Sequence, residues 1–171
     1  MEKTRLDGDF LALLNEYRGA IQRVSRTYTA SVGDREDLAQ EIVFQLWRAF
    51  PSFRRESGAL TWVYRIALNT AITGLRRRAR QPVHVSLDAA VDLPSPSPAV
   101  STGARTEQLY RAIRALGKVE RALIMCYLDE LTYRQMADVL GISESNVGAR
   151  LSRTKAKLQD LVRGKEEVDG P

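Results

Sequence analysis

The stretch LTYRQMADVLGISESNVGARLSRTKAKLQDL, Leu131 to Leu161, reads as a helix, a tight turn and a longer basic helix. Thr132 is placed to cap the first helix, and Gln135 follows three residues on, the spacing of a capping box. Met136, Val139 and Leu140 give that helix an apolar face, and Ala137 is small enough to admit a second helix. Gly141 supplies the turn. Ser143 is placed to cap the second helix, and Glu144 falls in its first turn, where the helix dipole favours an anion. Val147, Leu151, Leu158 and Leu161 recur at helical spacing and form a buried stripe. Ser145, Asn146, Ala149, Arg150, Arg153 and Lys157 then fall largely on the other side. An amide and several guanidinium groups on one exposed face are the side chains that read base edges and phosphates. The layout is that of a DNA-reading helix-turn-helix. An ordinary helical hairpin with a solvated basic face carries the same pattern, so the rest of the chain has to separate the two.

Upstream of the hairpin the pattern stays helical. Phe10, Leu13, Leu14, Tyr17, Ile21, Val24 and Tyr28 recur at steps of three and four, and Ser31 to Gly33 breaks the run. A second helix is expected to open at Asp34 or Arg35, with Leu38, Ile42, Leu46 and Ala49 inward. Pro51 ends it, because a proline pushes the preceding residue out of helical geometry. A third helix is expected from about Ala59 to Ala79, with Leu60, Tyr64, Ala67, Ala71 and Leu75 as its core stripe, widened by Val63, Ile66 and Leu68. Its polar side is a row: Thr61, Arg65, Asn69, Thr73, Arg76 and Arg80. Trp62 lies beside that row and Phe53 in the loop before it. Rings next to arginines suit single-stranded nucleic acid, since unpaired bases stack on the rings while cations hold the backbone. Core packing of Trp62 and Phe53 is the competing reading.

Between Gln81 and Gly103 the composition changes, with Pro82, Pro94, Pro96 and Pro98 among Ser, Ala and Val; this reads as an extended linker. Helices resume near Thr106 and again over Val119 to Leu128. The expected fold is therefore all-α: two small helical domains, residues 1–81 and 106–171, joined by a proline-rich flexible linker, 82–105, the second domain containing the helix-turn-helix.

Bulk properties agree with a nucleic-acid partner without requiring one. Lys and Arg total 26 against 21 Asp and Glu in 171 residues, a net charge of +5. The bases concentrate between Arg54 and Arg80, whereas Asp34 to Glu41 is acidic, so the chain presents both signs to its partners. Cys126 is the only cysteine, which excludes an internal disulfide, and its apolar neighbours suggest a reduced core thiol. His84, the only histidine, has no metal-ligating neighbour, and no glycine-rich phosphate loop or activated nucleophile is present; neither catalysis, metal nor cofactor is expected. The opening residues MEKTRLDGDF lack the apolar run of a secretion signal, and no stretch approaches the ~18 apolar residues that span a bilayer. A cytoplasmic protein without membrane insertion is expected.

Three segments together resemble a family. DLAQEIVFQLW, Asp37 to Trp47, is similar to the polymerase-binding helix of bacterial RNA polymerase sigma factors of the extracytoplasmic-function (ECF) type. SGALTWVYRIALNTAITGLRRR, Ser57 to Arg78, is similar to the helix that melts and reads their −10 element. LGKVERALIMCYLDELTYRQMADVLGISESNVGARLSRTKAKL, Leu116 to Leu158, is similar to their −35-reading domain. The resemblance implies a non-enzymatic factor that binds core RNA polymerase and promoter DNA, both as duplex and as unpaired non-template strand. It names the two domains sigma region 2 and sigma region 4. It implies that Asp37, Gln40 and Glu41 face the polymerase clamp. Trp62, Arg65 and Asn69, with Phe53, Arg54 and Ser57 of the preceding loop, would hold flipped bases, and Arg76, Arg77 and Arg78 nearby phosphates. Ser145, Asn146, Ala149, Arg150, Arg153 and Lys157 would meet the upstream duplex. Family members are often held in check by an anti-sigma factor, which is therefore a further candidate partner.

The chain departs from the family pattern at several positions. Thr73 stands where aspartate is common, Gly117 and Lys118 where a proline is frequent, and Gln135 where glutamate is common. Asn146, Gly148 and Ala149 replace Thr, Lys and Ser. These changes bear on which promoter is read rather than on the class. A stand-alone helix-turn-helix regulator and a helical protein-binding adaptor are the alternatives. The first leaves the acidic helix and the aromatic and arginine row unexplained.

Overall fold

The computed structural model describes residues 2–54, 58–80 and 102–166. Among them lie seven α-helices and no strand: α1 (Glu2–Tyr28), α2 (Val32–Ala49), α3 (Ala59–Arg80), α4 (Thr102–Ala115), α5 (Lys118–Leu128), α6 (Tyr133–Leu140) and α7 (Glu144–Glu166), with a single 3₁₀ turn, Phe50–Ser52, after α2. Among the described residues no helix is long and apolar enough to cross a membrane. The expected linker, 82–105, lies outside the described residues up to position 101. Its last four residues belong to α4, which begins at Thr102 rather than near Thr106.

Local chemistry accounts for the element ends. α2 starts at Val32, two residues before the expected Asp34, because the Ser31 hydroxyl accepts the Asp34 N–H at 3.1 Å and caps the helix. Gly33 falls in the first turn, where its low helix propensity costs little. Pro51 sits in the 3₁₀ turn, and the Ser52 hydroxyl donates to the Ala49 carbonyl at 2.7 Å to close the end of α2. Glu120 accepts the Gly117 N–H at 2.7 Å at the start of α5. At α6 the capping box is complete: Gln135 N–H donates to the Thr132 hydroxyl at 3.2 Å, and Thr132 N–H donates to the Gln135 side chain at 2.8 Å.

α1, α2 and α3 pack on one another around Phe10, Ile21, Val24, Ile42, Leu46, Val63, Tyr64 and Leu68. α5, α6 and α7, with α4 across them, close around Ile113, Leu116, Leu123, Met136, Val147 and Leu151. Each fully buried aliphatic side chain contributes about 1.5–3 kcal/mol relative to exposure. The two bundles also pack on each other: α1 touches α4 and α5, and α3 touches α5 and α6. The buried residues of both form one cluster. Helical periodicity identified each stripe but carried no sign of this seam.

Two turns in the second bundle use left-handed backbone. Gly141 (φ 67°) ends α6, with its N–H donating to Ala137 O at 2.8 Å. Glu130 (φ 60°) ends α5, where Leu131 N–H donates back to Cys126 O at 3.0 Å, a wrap usually made by glycine. A side chain in this region costs about 1–2 kcal/mol. A Cβ added at Gly141 would meet no atom within 4 Å, so only backbone conformation is at stake there. Gly141→Ala should therefore lower stability by about 1 kcal/mol, and Glu130→Gly should raise it by up to about 1 kcal/mol. Denaturant melts of the two variants should shift in opposite directions; shifts of the same sign would contradict the turn assignments.

Candidate nucleic-acid interface

The hairpin presents the expected residues on the outer face of α7. Val147 and Leu151 are fully buried and fix its rotation, leaving Ser145, Ala149, Arg150 and Arg153 exposed and Asn146 half-buried. The Ser143 hydroxyl accepts the Asn146 N–H at 3.3 Å, which caps α7 as expected. Arg150 Nε donates to Asn146 Oδ1 at 2.8 Å, so the amide holds the guanidinium over the helix start. The Arg153 Nε–H turns back to Ala149 O at 3.3 Å. Lys157 is drawn off this face: its ammonium pairs with Glu120 of α5 at 2.9 Å. That pair, together with the Gly117 N–H, holds the Glu120 carboxyl below its ordinary pKa. Tyr133 was not singled out from sequence. Its ring lies over Gly148, with Cε2 3.4 Å from where a Cβ would stand, and it is exposed beside the α7 face. The glycine in place of a longer side chain was the available signal.

The aromatic and arginine row of α3 is only partly open. Phe53 and Trp62 stack with ring centroids 4.5 Å apart and planes at 30°. Phe50, buried, stands behind both at 6.4 Å, and Phe10 joins Phe50 to Trp47. Phe53 and Trp62 are therefore anchored on the core and half-buried. Arg54, Asn69, Arg76 and Arg77 are exposed. Ser57, and the side chain of Arg78, lie outside the described residues. The amino-terminal end of the row is covered: Thr61 is 1% exposed, and Arg65 donates from Nε and Nη2 to Asp138 O of α6 at 3.2 and 3.0 Å.

The acidic helix α2 does not gather Asp37, Gln40 and Glu41 at one point. Asp37 is exposed near its start. Glu41 accepts from Gln45 at 2.7 Å and lines a groove of about 410 Å³ with Asn69, Thr73 and Arg77, residues of the α3 row. Gln40 instead borders an apolar groove of about 680 Å³ between α1 and α2, lined by Phe10, Leu14, Val43, Phe44 and Trp47. Phe44 is 52% and Trp47 37% exposed. Exposed aromatics around such a groove offer apolar surface to another molecule. Sequence reading passed over both because they fall outside the inward stripe of α2; their exposure on a helix with full caps was the missing cue.

Other chemistry is sparse. Among the described residues no cluster of His, Cys, Asp and Glu is arranged to hold a metal. Cys126 is fully buried, and burial pushes its thiol up to about 12, so it carries no nucleophile.

Residues 13–81 match the family model described as Sigma-70 region 2, and residues 106–158 match Sigma-70, region 4. The ECF RNA polymerase sigma factor SigG of Mycobacterium tuberculosis (strain ATCC 25618 / H37Rv) is 28% identical over 181 residues, covering 90% of this chain and 49% of SigG. This chain thus spans about half the length of that relative. The ECF RNA polymerase sigma-E factor of Escherichia coli (strain K12) is 28% identical over 170 residues, with 90% of this chain and 88% of the relative covered. Among solved structures, the sigma factor RpoE from Bartonella quintana, in complex with the anti-sigma factor NepR, superposes with a TM-score of 0.74 at 22% identity, covering 91% of this chain and 97% of RpoE. CnrH, in complex with the cytosolic domain of CnrY, superposes with a TM-score of 0.66 at 21% identity, covering 94% and 89%. The fold of α1–α7 is thus shared with these structures. The two family models are met in order by the helices that carry the aromatic row and the hairpin, and the chain belongs to the ECF type of the sigma-70 family.

Proposed function

We propose that the chain binds core RNA polymerase in the bacterial cytoplasm, directs it to promoters and helps to melt them, adding no catalytic chemistry of its own. Residues 1–81 act as sigma region 2, 82–105 as the connecting linker and 106–171 as sigma region 4. The observation that carries this reading is the presence, in one chain, of two nucleic-acid faces of different kind. One is the guanidinium and amide face of Asn146, Arg150 and Arg153. The other is the stacked pair Phe53–Trp62 beside Asn69, Arg76 and Arg77. A plain regulator needs only the first.

The division of labour follows from the side chains. Asn146 and Arg150 read base edges in the major groove, and Arg153 holds phosphate, joined by Lys157 once phosphate replaces Glu120 as its partner, with Ser145 and Ala149 against the groove wall. Extruding a base costs about a few kcal/mol, and stacking on an aromatic ring returns about 1–3 kcal/mol. Phe53 and Trp62 supply that stack. Arg65 and Asn69 address the base and strand, with Arg54 and Ser57 in the flanking loop. Arg76, Arg77 and Arg78 track the phosphates. Asp37, Gln40 and Glu41 meet the polymerase, and the groove at Phe44 and Trp47 supplies the apolar part of that contact. An anti-sigma factor is a further partner; both structural neighbours were solved with a bound partner, named an anti-sigma factor for RpoE, which supports this.

Run-off transcription with core polymerase over a promoter pool tests the whole reading: start-site-specific transcripts should depend on the added chain. Three substitutions divide its parts. Arg150→Ala should weaken upstream binding by about 1–3 kcal/mol and relax preference at one base pair, whereas Arg153→Ala should weaken it evenly and flatten the salt dependence. Binding indifferent to both would remove α7 from the groove. Trp62→Ala should leave polymerase affinity intact but reduce permanganate reactivity of thymines near the start site, and a pre-melted bubble should restore transcription. Undiminished reactivity would remove Trp62 from strand capture.

A further inference from the structure

We infer that a cleft bordered by α1, α2 and α4 is a binding site for a small phosphorylated ligand, held by the guanidinium groups of Arg23, Arg26 and Arg35. The inference is independent of the proposed function: none of these three arginines belongs to the α7 face, the α3 row or the groove at Phe44 and Trp47. The cleft has a volume of about 430 Å³, within the ~300–1,000 Å³ of small-molecule sites. Arg23 and Arg26 line it from one face of α1, and Arg35 lines it from the start of α2. Gln22, Glu36 and Tyr110 stand around them.

The observation that carries the inference is an excess of donors. Among the described residues four side-chain polar atoms are shielded from water without a hydrogen-bond partner, and three of them are Arg23 Nε, Arg26 Nε and Arg35 Nε. Buried polar groups are normally paired, so three unmet charged donors around one cleft call for an acceptor that the chain itself does not supply. The ties these side chains do make leave Nε out: Arg23 gives Nη2 to Asp129, and Arg26 gives Nη2 to Glu107 at 2.7 Å. Glu107 also takes Arg114 at 2.7 Å, so two guanidinium groups there hold one carboxylate. Glu36 is the one carboxylate lining the cleft, and it is exposed. Positive charge is therefore in surplus. A tetrahedral phosphate offers oxygens in several directions, which suits forked donors arriving from two helices. Two contacts set those forks. Arg26 lies 4.2 Å above the Tyr110 ring, which holds its plane, and Gly19 gives Arg23 room to lie back along α1, since a Cβ there would stand 3.0 Å from Arg23 Nη1. All three arginines are only half-buried, so a small rotation brings each Nε–H edge into the cleft. The cleft is larger than one phosphate group and admits a phosphomonoester with a compact body.

Proton–nitrogen correlation spectra of the full chain report arginine Nε–H groups directly. On titration with inorganic phosphate, or with adenosine 5′-monophosphate, the Nε–H signals of Arg23, Arg26 and Arg35 should move downfield together and saturate. Tighter binding of the nucleotide would make the ligand a phosphomonoester; equal binding would make it the free anion. Arg35→Gln, which leaves the Asp129 and Glu107 ties in place, should weaken binding by about tenfold, the order expected for loss of a charge-assisted hydrogen bond. The remaining backbone signals of that variant check that it is folded. Arg105→Gln makes the same charge change at an exposed α4 position outside the cleft and should leave binding unchanged. Nε–H signals that stay fixed, or that move equally with sodium chloride at matched ionic strength, overturn the site. So do signals that respond only to a single-stranded oligonucleotide, and an equal loss of binding in Arg105→Gln.

Discussion

The Asp129 side chain is 11% exposed and lies where three helices meet. A carboxylate taken this far out of water is sustained only by partners that replace its hydration. It has two, one from each of two helices of the other bundle. Burial, and then the hydrogen bond to Asp129, hold the Tyr64 hydroxyl above its ordinary pKa, so it stays a donor. Burial works against the Arg23 charge, but Asp129 outweighs it and leaves the guanidinium above its usual range. Glu130, in left-handed backbone next to it, is the local strain by which the α5–α6 turn aims Asp129 across the seam.

From that contact the placement of both recognition faces follows. The turn that carries Asp129 leads directly into α6, whose capping box fixes its start. Gly141 and Ser143 then set the angle of α7. On the other side Tyr64 shares a helix with Trp62, Arg65 and Asn69, so holding Tyr64 fixes the rotation of the whole row. The apolar groove at Phe44 and Trp47 lies on α2, which touches neither α5 nor α6 closely enough to be covered. This packing leaves the apolar groove open while α6 covers the amino-terminal end of the α3 row.

Much of this was legible in the residues. Thr132, Gln135, Gly141 and Ser143 each satisfy a backbone group within a few positions, and such local chemistry is written in spacing. The inward stripes of α1 and α3 were legible for the same reason, as was the exposed face of α7. What escaped were contacts between residues far apart in sequence. Arg23 and Asp129 are separated by 106 positions, and no periodicity encodes their meeting. Thr61 and Arg65 read as an open row because α3 has a polar side. That the side faces a second bundle depends on the charge of Asp129 and the carbonyl of Asp138. Ser31 was misread as part of a break because Gly33 follows it, although a serine with an aspartate three residues on is itself a helix start. Lys157 belonged to the basic face by spacing, and only the fold brings Glu120 within 2.9 Å of it.

The hold of Asp129 on the seam can be followed directly. Fluorophores at Glu36 on α2 and Ser152 on α7, both exposed, report the distance between the bundles by single-molecule energy transfer. The account predicts one short, narrow distance in the unmodified chain and a longer or broader one in Asp129→Asn. An unchanged narrow distance in that variant would contradict it.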